Sequence, residues 1–417
     1  MTNEVPAAPP SHPRRARIEL VDALRGSALL GILLMHSFEH WDFMRYPKDS
    51  PIWLQSLDQW TSSAAYFLFA GKAYAIFALL FGVSFFMILE RWSEREINFG
   101  GRFLWRLLVL GIFGYLNGHI YCGDVLLVIA ALGVPLLLLH RCSTKTLSWI
   151  SLLLVLQLPS LWDSGRVLLD PSFEPLQPKH WQIYGQIDRV YAEGSLADVI
   201  RTNRWQGQLV RIWWTIETGR YTQMLGLFIW GLLIGRSKIF ENNSRSLPLA
   251  KQALLWGTIA FAVFYPIKSQ LGAWGLKDLR HYTVDNLISS YCNLAQMAIW
   301  VGGFILIYQW RTAAAALRLL APCGRTSLTC YVTQGLIGVP LFYGFGFALY
   351  RYLGPFYSVL VGVIIFSIQC VAARLWLKKF TYGPLEWLWR ACTLGSSAVA
   401  LKNPAMKAAA ISAEASR

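Results

Sequence analysis

The stretch R-I-E-L-V-D-A-L-R-G-S-A-L-L-G-I-L-L-M-H-S-F-E-H-W-D-F, from Arg17 to Phe43, decides how this chain is read. It opens on charges, passes through small and aliphatic residues, and ends in a knot of His, Glu and Asp. An apolar run of this length crosses a bilayer core as a helix. Asp22 and Arg25 stand at its entrance, and His36, Glu39, His40 and Asp42 at its exit. Ionisable groups are costly inside a membrane, so where they border a span they mark a pathway or a reaction centre.

The rest of the chain repeats the apolar pattern. Of 417 residues 55% are hydrophobic and only 15% charged, where a soluble domain is about a quarter charged. The expected fold is all-α, a polytopic transmembrane bundle of about ten spans at 20–40, 62–89, 103–121, 124–140, 146–162, 221–236, 252–272, 287–308, 326–349 and 356–377. The 19 Trp, 18 Tyr and 23 Phe gather near segment ends, at Trp53, Trp60, Trp105, Trp149, Trp181, Trp213 and Trp214 for example, as an interfacial belt requires.

A net charge of +15 raises the question of nucleic acid, but the basic residues are scattered between apolar segments and form no groove-reading motif. Their distribution speaks for topology instead. With the N-terminus inside, the inner segments hold 23 Lys and Arg and the short outer loops six. The positive-inside rule then places both termini in the cytoplasm of a bacterial inner membrane. Seven Cys without metal spacing, mostly in or beside apolar runs, imply no disulfide framework. The first apolar run starts too late and is too long for a cleavable signal.

This divides the chain into a disordered cytoplasmic tail (1–17), a transmembrane domain (18–390) and a second cytoplasmic tail (391–417). Within the domain, 163–220 is an extracytoplasmic loop whose periodicity and mixed charge predict amphipathic helices. It is either a solvated connector or a cap over a substrate site. The basic, aromatic segment from Arg374 to Trp389 reads as an interfacial helix on the cytoplasmic side.

Asp22 and Arg25, three residues apart, share a helix face and can pair. They form a structural ion pair, or Arg25 holds an anionic group such as the phosphate of a cytoplasmic cofactor. His36 and His40 are one turn apart with Glu39 between them. Imidazole titrates near neutrality and suits the removal of a proton from a hydroxyl or amine, with a carboxylate to orient it. H-S-F-E-H also matches the H-x-x-E-H pattern of a zinc peptidase class. Five letters at a membrane boundary, without the rest of that scaffold, weigh little, and no metal is expected.

A second polar knot, G-Y-L-N-G-H-I-Y-C-G-D-V-L, brings Asn117, His119 and Asp124 to the same outer level. Lys72, in G-K-A-Y-A-I-F, is a snorkelling residue or a buried partner for the carboxylates. Arg325 begins a polar stripe through Ser327, Thr329, Tyr331, Thr333 and Gln334, which either bonds helices together or lines a path for a polar ligand. Gly71, Gly82, Gly111, Gly114 and Gly118 permit close helix packing.

These motifs together resemble the YeiB-like membrane family, a domain of unknown function often described as a possible transporter. The resemblance rests on D-A-L-R-G-S-A-L-L-G-I-L-L (22–34), G-K-A-Y-A-I-F-A-L-L-F-G-V-S-F (71–85), G-D-V-L-L-V-I-A-A-L-G (123–133), G-R-T-S-L-T-C-Y-V-T-Q (324–334) and F-T-Y-G-P-L-E-W-L-W-R (380–390), nearly the whole chain in order. The opening helix is also similar to that of transmembrane acyltransferases, with D-x-L-R-G and a His eleven residues after the Arg, here Asp22, Arg25 and His36. Many YeiB-like members resemble L-L-V-N there, so this chain departs toward the acyltransferase pattern.

What the resemblance implies is an acyltransferase that takes an acyl group from cytoplasmic acyl-CoA, a donor substrate and not a resident cofactor. The acceptor is a small molecule bearing a hydroxyl or amine at the outer face. The resemblance carries over to Asp22, Arg25 and His36 alone; joined to the residues read above, it has His36, Glu39 and Asp124 carry the catalysis. His40, Asp42, Lys72, Asn117 and His119 bind the acceptor, and Asp22, Arg25 and Arg325 hold the donor. The other reading is a transporter or exporter of a small polar or amphipathic molecule, in which the same groups form a substrate or proton pathway. Both readings give the chain the lipid bilayer as partner and exclude nucleic acid, and neither fixes the oligomeric state. The absence of a nucleotide-binding loop argues against coupling to ATP.

Overall fold

In a bilayer every backbone polar group must be satisfied within the chain, so an apolar sequence of this kind has helices as its solution. The computed structural model describes residues 18–93, 99–241, 243–394, 399 and 401–402. Among them the regular structure is helical, with one isolated bridge between Phe380 and Lys402. Six segments are long and apolar enough to cross a membrane: Glu19–Phe38, Ile52–Ser93, Phe99–Asn117, Arg245–Gln270, Asp278–Ile307 and Pro355–Lys379. Thr144–Val155 and Leu158–Leu169, bent by 40° at their junction, make a seventh if they form one span. The chain is a helical membrane protein.

The helices are α1 (Glu19–Phe38), α2 (Ile52–Leu68), α3 (Ala73–Ser93), α4 (Phe99–Asn117), α5 (Leu126–Leu139), α6 (Thr144–Val155) and α7 (Leu158–Leu169). Over the expected loop lie α8 (Lys179–Glu193), α9 (Leu196–Thr202), a π turn (Asn203–Gly207) and α10 (Gln208–Glu217). Then come α11 (Arg220–Arg236), α12 (Asn243–Gln270), α13 (Asp278–Ile307), α14 (Arg311–Leu317), α15 (Ala321–Arg325), α16 (Ser327–Phe342), α17 (Pro355–Lys379) and α18 (Pro384–Leu394).

The expected segments fall in helical regions, but 62–89 straddles the α2–α3 break and 146–162 the bend between α6 and α7 (12 residues each), and α5, α11 and α16 have only 14, 17 and 16 residues. Polar anchors set their starts. The Asp124 carboxylate accepts the Leu126 N–H at 2.9 Å, Gly219 adopts a left-handed φ of 69° before α11, and Glu386 caps α16. The tail expected at 1–17 lies outside the described residues. So does most of 391–417, whose first residues instead complete α18.

α1 is the central helix: 72% of its apolar window is buried within the protein, against 11% for α12. We call the end that holds the start of α1 the lower end and the opposite one the upper end. Gly26 and Gly324 let α1 and α15 touch backbone to backbone, since a Cβ on Gly324 would overlap the Asp22 carbonyl oxygen. α18 lies across α4 and α16 at this lower end. There Arg106 stacks on Trp389 at 3.5 Å and the Trp389 indole donates to the Arg106 carbonyl at 2.9 Å.

α2 and α3 hold 17 and 21 residues, about 57 Å of helix and nearly twice a bilayer core. They are separated at Phe69–Lys72, where Gly71 has φ 76°. Phe69 and Ala73 pack on Gly31, so this break sits at mid-height on α1.

The motif F-T-Y-G-P-L-E-W finds its reason in the Glu386 cap. The carboxylate accepts the N–H groups of Leu328 and Thr329 at 2.6 and 3.1 Å and the Thr329 hydroxyl at 2.7 Å. Hydrogen bonds to a charged group contribute about 1.5–3 kcal/mol where they are sheltered. Glu386→Ala is expected to lower stability by about that amount, read as a fall in Tm of the detergent-solubilised protein; an unchanged Tm would refute the cap.

Candidate functional site

The last turn of α1 does not simply end. After Phe38 the chain takes a left-handed turn, with His40, Trp41 and Asp42 at φ 51°, 55° and 69°, followed by Met44 at 46°. Left-handed backbone costs an L-residue about 1–2 kcal/mol, so three in succession persist only where the surroundings enforce them. Trp41 is fully buried, its indole against Gly338 and 5.2 Å from the Phe342 ring, and its carbonyl accepts the Tyr343 hydroxyl at 2.9 Å. His40, also fully buried, bonds the Arg45 carbonyl and the Ser358 hydroxyl, each at 2.8 Å, and stacks on Phe342.

This turn leaves His36, Glu39 and Asp42 half-buried at the upper end of α1. The His36 ring meets Tyr121 edge-on at 5.0 Å and makes no hydrogen bond among the described residues. Asp42 faces the same Tyr121 beside Gly123, where a Cβ would overlap both the carboxylate and the phenol. Arg220 is the cation that faces Glu39, and it stands over the rings of Tyr74 and Trp214 at 4.4 and 4.2 Å. Tyr184, from α8, lies within electrostatic range of both carboxylates. Four buried atoms border Tyr121 or the Gln334–Gly338 turn of α16 and have no hydrogen-bond partner among the described residues: Trp41 Nε1, Asp42 Oδ2, Asn117 Oδ1 and Gln334 Oε1. Three are acceptors and one is a donor, a balance that suits a guest rich in O–H or N–H groups.

The segment 163–220 is bolted over this end. Arg45 donates to Asp188 at 2.9 Å, Gly344 N–H to the Tyr191 carbonyl at 2.8 Å, and Asn203 to the carbonyls of His119 and Ile120 at 3.1 and 3.2 Å. From α10, Arg211 reaches the fully buried Asp124, bonding its carbonyl at 2.9 Å and standing 3.8 Å from its carboxylate.

The expected residues therefore separate into groups. His36, Glu39 and Asp42 stand together at the end of α1, with His36 and Asp42 both against Tyr121. His40, expected to bind acceptor, has both ring nitrogens spent on the fold. Asp124, expected to orient His36, gives its carboxylate to Asn117 at 2.6 Å, to Leu126 N–H and to Arg211. His119 points to the exposed Tyr115, its Nδ1 2.8 Å from that carbonyl. Lys72 sits at the mid-height break, 4% exposed, and donates to the Tyr66 carbonyl at 3.0 Å, away from the carboxylates at the top. At the lower end Arg25 bonds Asp22 at 3.1 Å, the Ser84 hydroxyl at 2.8 Å and the Gly324 carbonyl at 3.4 Å, with Arg325 next along the chain. The two His of H-S-F-E-H diverge, so they do not converge on one ion.

Tyr121, Arg220 and Arg211 escaped the sequence reading. A signal existed for Arg211, a charge set among Leu209, Val210, Ile212, Trp213 and Trp214. Tyr121 and Arg220 carry no local signal, because they meet His36, Asp42 and Glu39 from far along the chain.

Residues 234–396 match the family described as protein of unknown function DUF418. The uncharacterized protein YxaH of Bacillus subtilis is 26% identical over 409 residues, covering 90% of this chain and 94% of its own. The uncharacterized protein YeiB of Escherichia coli is 25% identical over 407 residues, covering 92% and 98%. The chain is similar to both along almost its whole length. An uncharacterized 39.9 kDa protein from the amylase 3' region of Bacillus acidopullulyticus is likewise similar, 26% over 399 residues. The DUF418 match takes in Arg325, Gln334 and Glu386 but stops short of His36, whereas the YeiB-like relatives are similar along almost the whole chain.

Burial, reinforced by the Asp42 charge, raises the Glu39 carboxyl above the ordinary carboxylate range, and burial likewise raises Asp42. Groups raised in the folded state stabilise it fully below their unfolded pKa and lose that contribution as pH climbs through the folded values. Wild-type Tm is thus expected to fall from pH 5 to pH 9 more than that of Glu39→Gln (~4 and above being the affected range). Parallel Tm–pH curves for the two proteins would show that Glu39 is not raised.

Proposed function

We propose that this protein is a membrane acyltransferase with its acceptor site in the acidic, aromatic pocket at the upper end. The observation that carries the reading is His36. It is the histidine of the pair whose ring is not consumed by the fold, and it stands beside Tyr121, Glu39 and Asp42. Eleven residues separate it from Arg25, three helical turns, so both lie within about 20° on one face of α1 and roughly 16 Å apart. That separation suits a donor held at one end by its phosphates and extended toward the pocket by its thioester arm. Arg325, at the same lower junction as Arg25, holds those phosphates in this reading.

His36 takes the proton from the acceptor O–H or N–H as oxygen or nitrogen bonds the thioester carbonyl carbon. The C–S bond then breaks, and the leaving thiolate recovers the proton from His36. Glu39 and Asp42, with the unpartnered acceptors nearby, bind the hydroxyl or amine groups of the acceptor. Ten membrane crossings, with α5, α11 and α16 as short ones, and cytoplasmic termini in a bacterial inner membrane follow from the charge distribution and put the donor at the lower end.

One feature favours a transporter as the second reading. The α2–α3 segment is broken at mid-height beside the buried Lys72, and discontinuous helices at the membrane midplane hold substrates and ions in transporters.

Protein in lipid vesicles supplied with labelled acetyl-CoA and acyl-acceptor extract separates the two. His36→Ala is expected to cut label transfer by about 10²–10⁴ while leaving the protein inserted and monodisperse. Transfer at wild-type rate in the variant would sink the assignment of His36. Solute accumulation without any acyl donor would move the function to transport.

A further inference from the structure

We propose that the cavity between α3, α11, α12 and α13 holds one acyl chain of an anionic phospholipid, with its headgroup at Arg245. The cavity has a volume of about 300 Å³ and an apolar lining that includes Leu79, Trp230, Leu249, Ala253, Met297 and Ile305. Trp230 turns its indole N–H away, to the Ser151 hydroxyl at 3.1 Å, and leaves the carbon face of the ring to the cavity. Among the described residues the lining is almost wholly apolar, and the wall contributed by α12 belongs to the least buried of the six candidate spans. Around such a wall the solvent is hydrocarbon, and an acyl chain recovers the dispersion contacts that an unfilled cavity forfeits.

Charge decides which lipid. Arg245, Leu249 and Ala253 are successive i, i+4 positions on one stripe of α12, and the last two line the cavity, so Arg245 stands one turn below it. Of the cations near this mouth, Arg236 is bonded to the carbonyls of His140 and Cys142 at 2.5 and 3.0 Å, and Lys238 to Glu90 at 2.7 Å. Arg245 is exposed, 3.5 Å from the Ser237 carbonyl, and Lys251 is exposed further along α12. A basic residue at a membrane surface favours an anionic headgroup about fivefold. This site lies in the lower half of the bundle and does not depend on His36.

Native mass spectrometry of the purified protein, titrated with phosphatidylglycerol or with phosphatidylcholine of the same chains, tests the inference. Wild type should retain phosphatidylglycerol preferentially. Arg245→Ala should lower that preference about fivefold and leave phosphatidylcholine binding unchanged. Ala253→Phe, which fills the cavity, should lose both lipids at the saturable site. Ala298→Leu, a smaller filling change, should weaken both and guards against misfolding of the first variant. Equal retention of the two lipids by wild type, or undiminished retention by both filled variants, would overturn the proposal, as would capture of acyl-CoA in place of phospholipid.

Discussion

A guanidinium within an apolar helix has no water to turn to, and the lower half of this protein is organised around supplying Arg25 with partners. Asp22 lies one turn before it, Ser84 comes from α3, and the Gly324 carbonyl from α15. The last of these requires α15 to approach α1 at backbone distance, which Gly26 and Gly324 allow. That approach in turn fixes where α16 starts and leaves its first turn for Glu386 to cap. One half-buried charge thus links the first helix of the chain to the last.

At the upper end the logic is reversed. There the fold stabilises a strained turn, with Trp41 and His40 as its anchors, so that Glu39, faced by Arg220, and Asp42 remain near His36 without a close ion pair among the described residues. Arg211 and Asp124, the buried ion pair at this level, tie α10 to the start of α5 and leave Glu39 and Asp42 aside. Strain next to polar groups that the fold leaves unsatisfied is what a site made for a guest requires.

The helical character was legible in the sequence because a bilayer leaves helices as the solution for such apolar runs. The continuity of the helices was not, since 62–89 and 146–162 each fall across a break between two helices and six segments, or seven with the bent pair, are long enough to span. Nor were their exact lengths: the start of α16 is capped by Glu386, 58 residues downstream, an anchor that only tertiary structure supplies, while α5 and α11 begin after the local stops Asp124 and Gly219. The polar knot at 36–42 was also readable as a place. Its division of labour was not: His36 and His40 have identical chemistry in the sequence, and only the left-handed turn sends one ring into the packing against Phe342 and the other toward Tyr121. Asp124 was misplaced for a similar reason, because its partner Arg211 lies 87 residues downstream in a segment read as a loop.

The Arg25–Gly324 bond spans 299 residues of chain. A ribosome adding about 5–20 residues per second needs roughly 15–60 s to deliver that carbonyl after Arg25 has entered the membrane. Over this interval the first helix is an incomplete structure, with Asp22 as its own nearest counter-charge and with neither α15 nor the Glu386 cap yet made. Biogenesis of this protein must therefore include a stage in which α1 is sheltered, by the insertion machinery or by α3 through Ser84, until the last quarter of the chain arrives to enclose it.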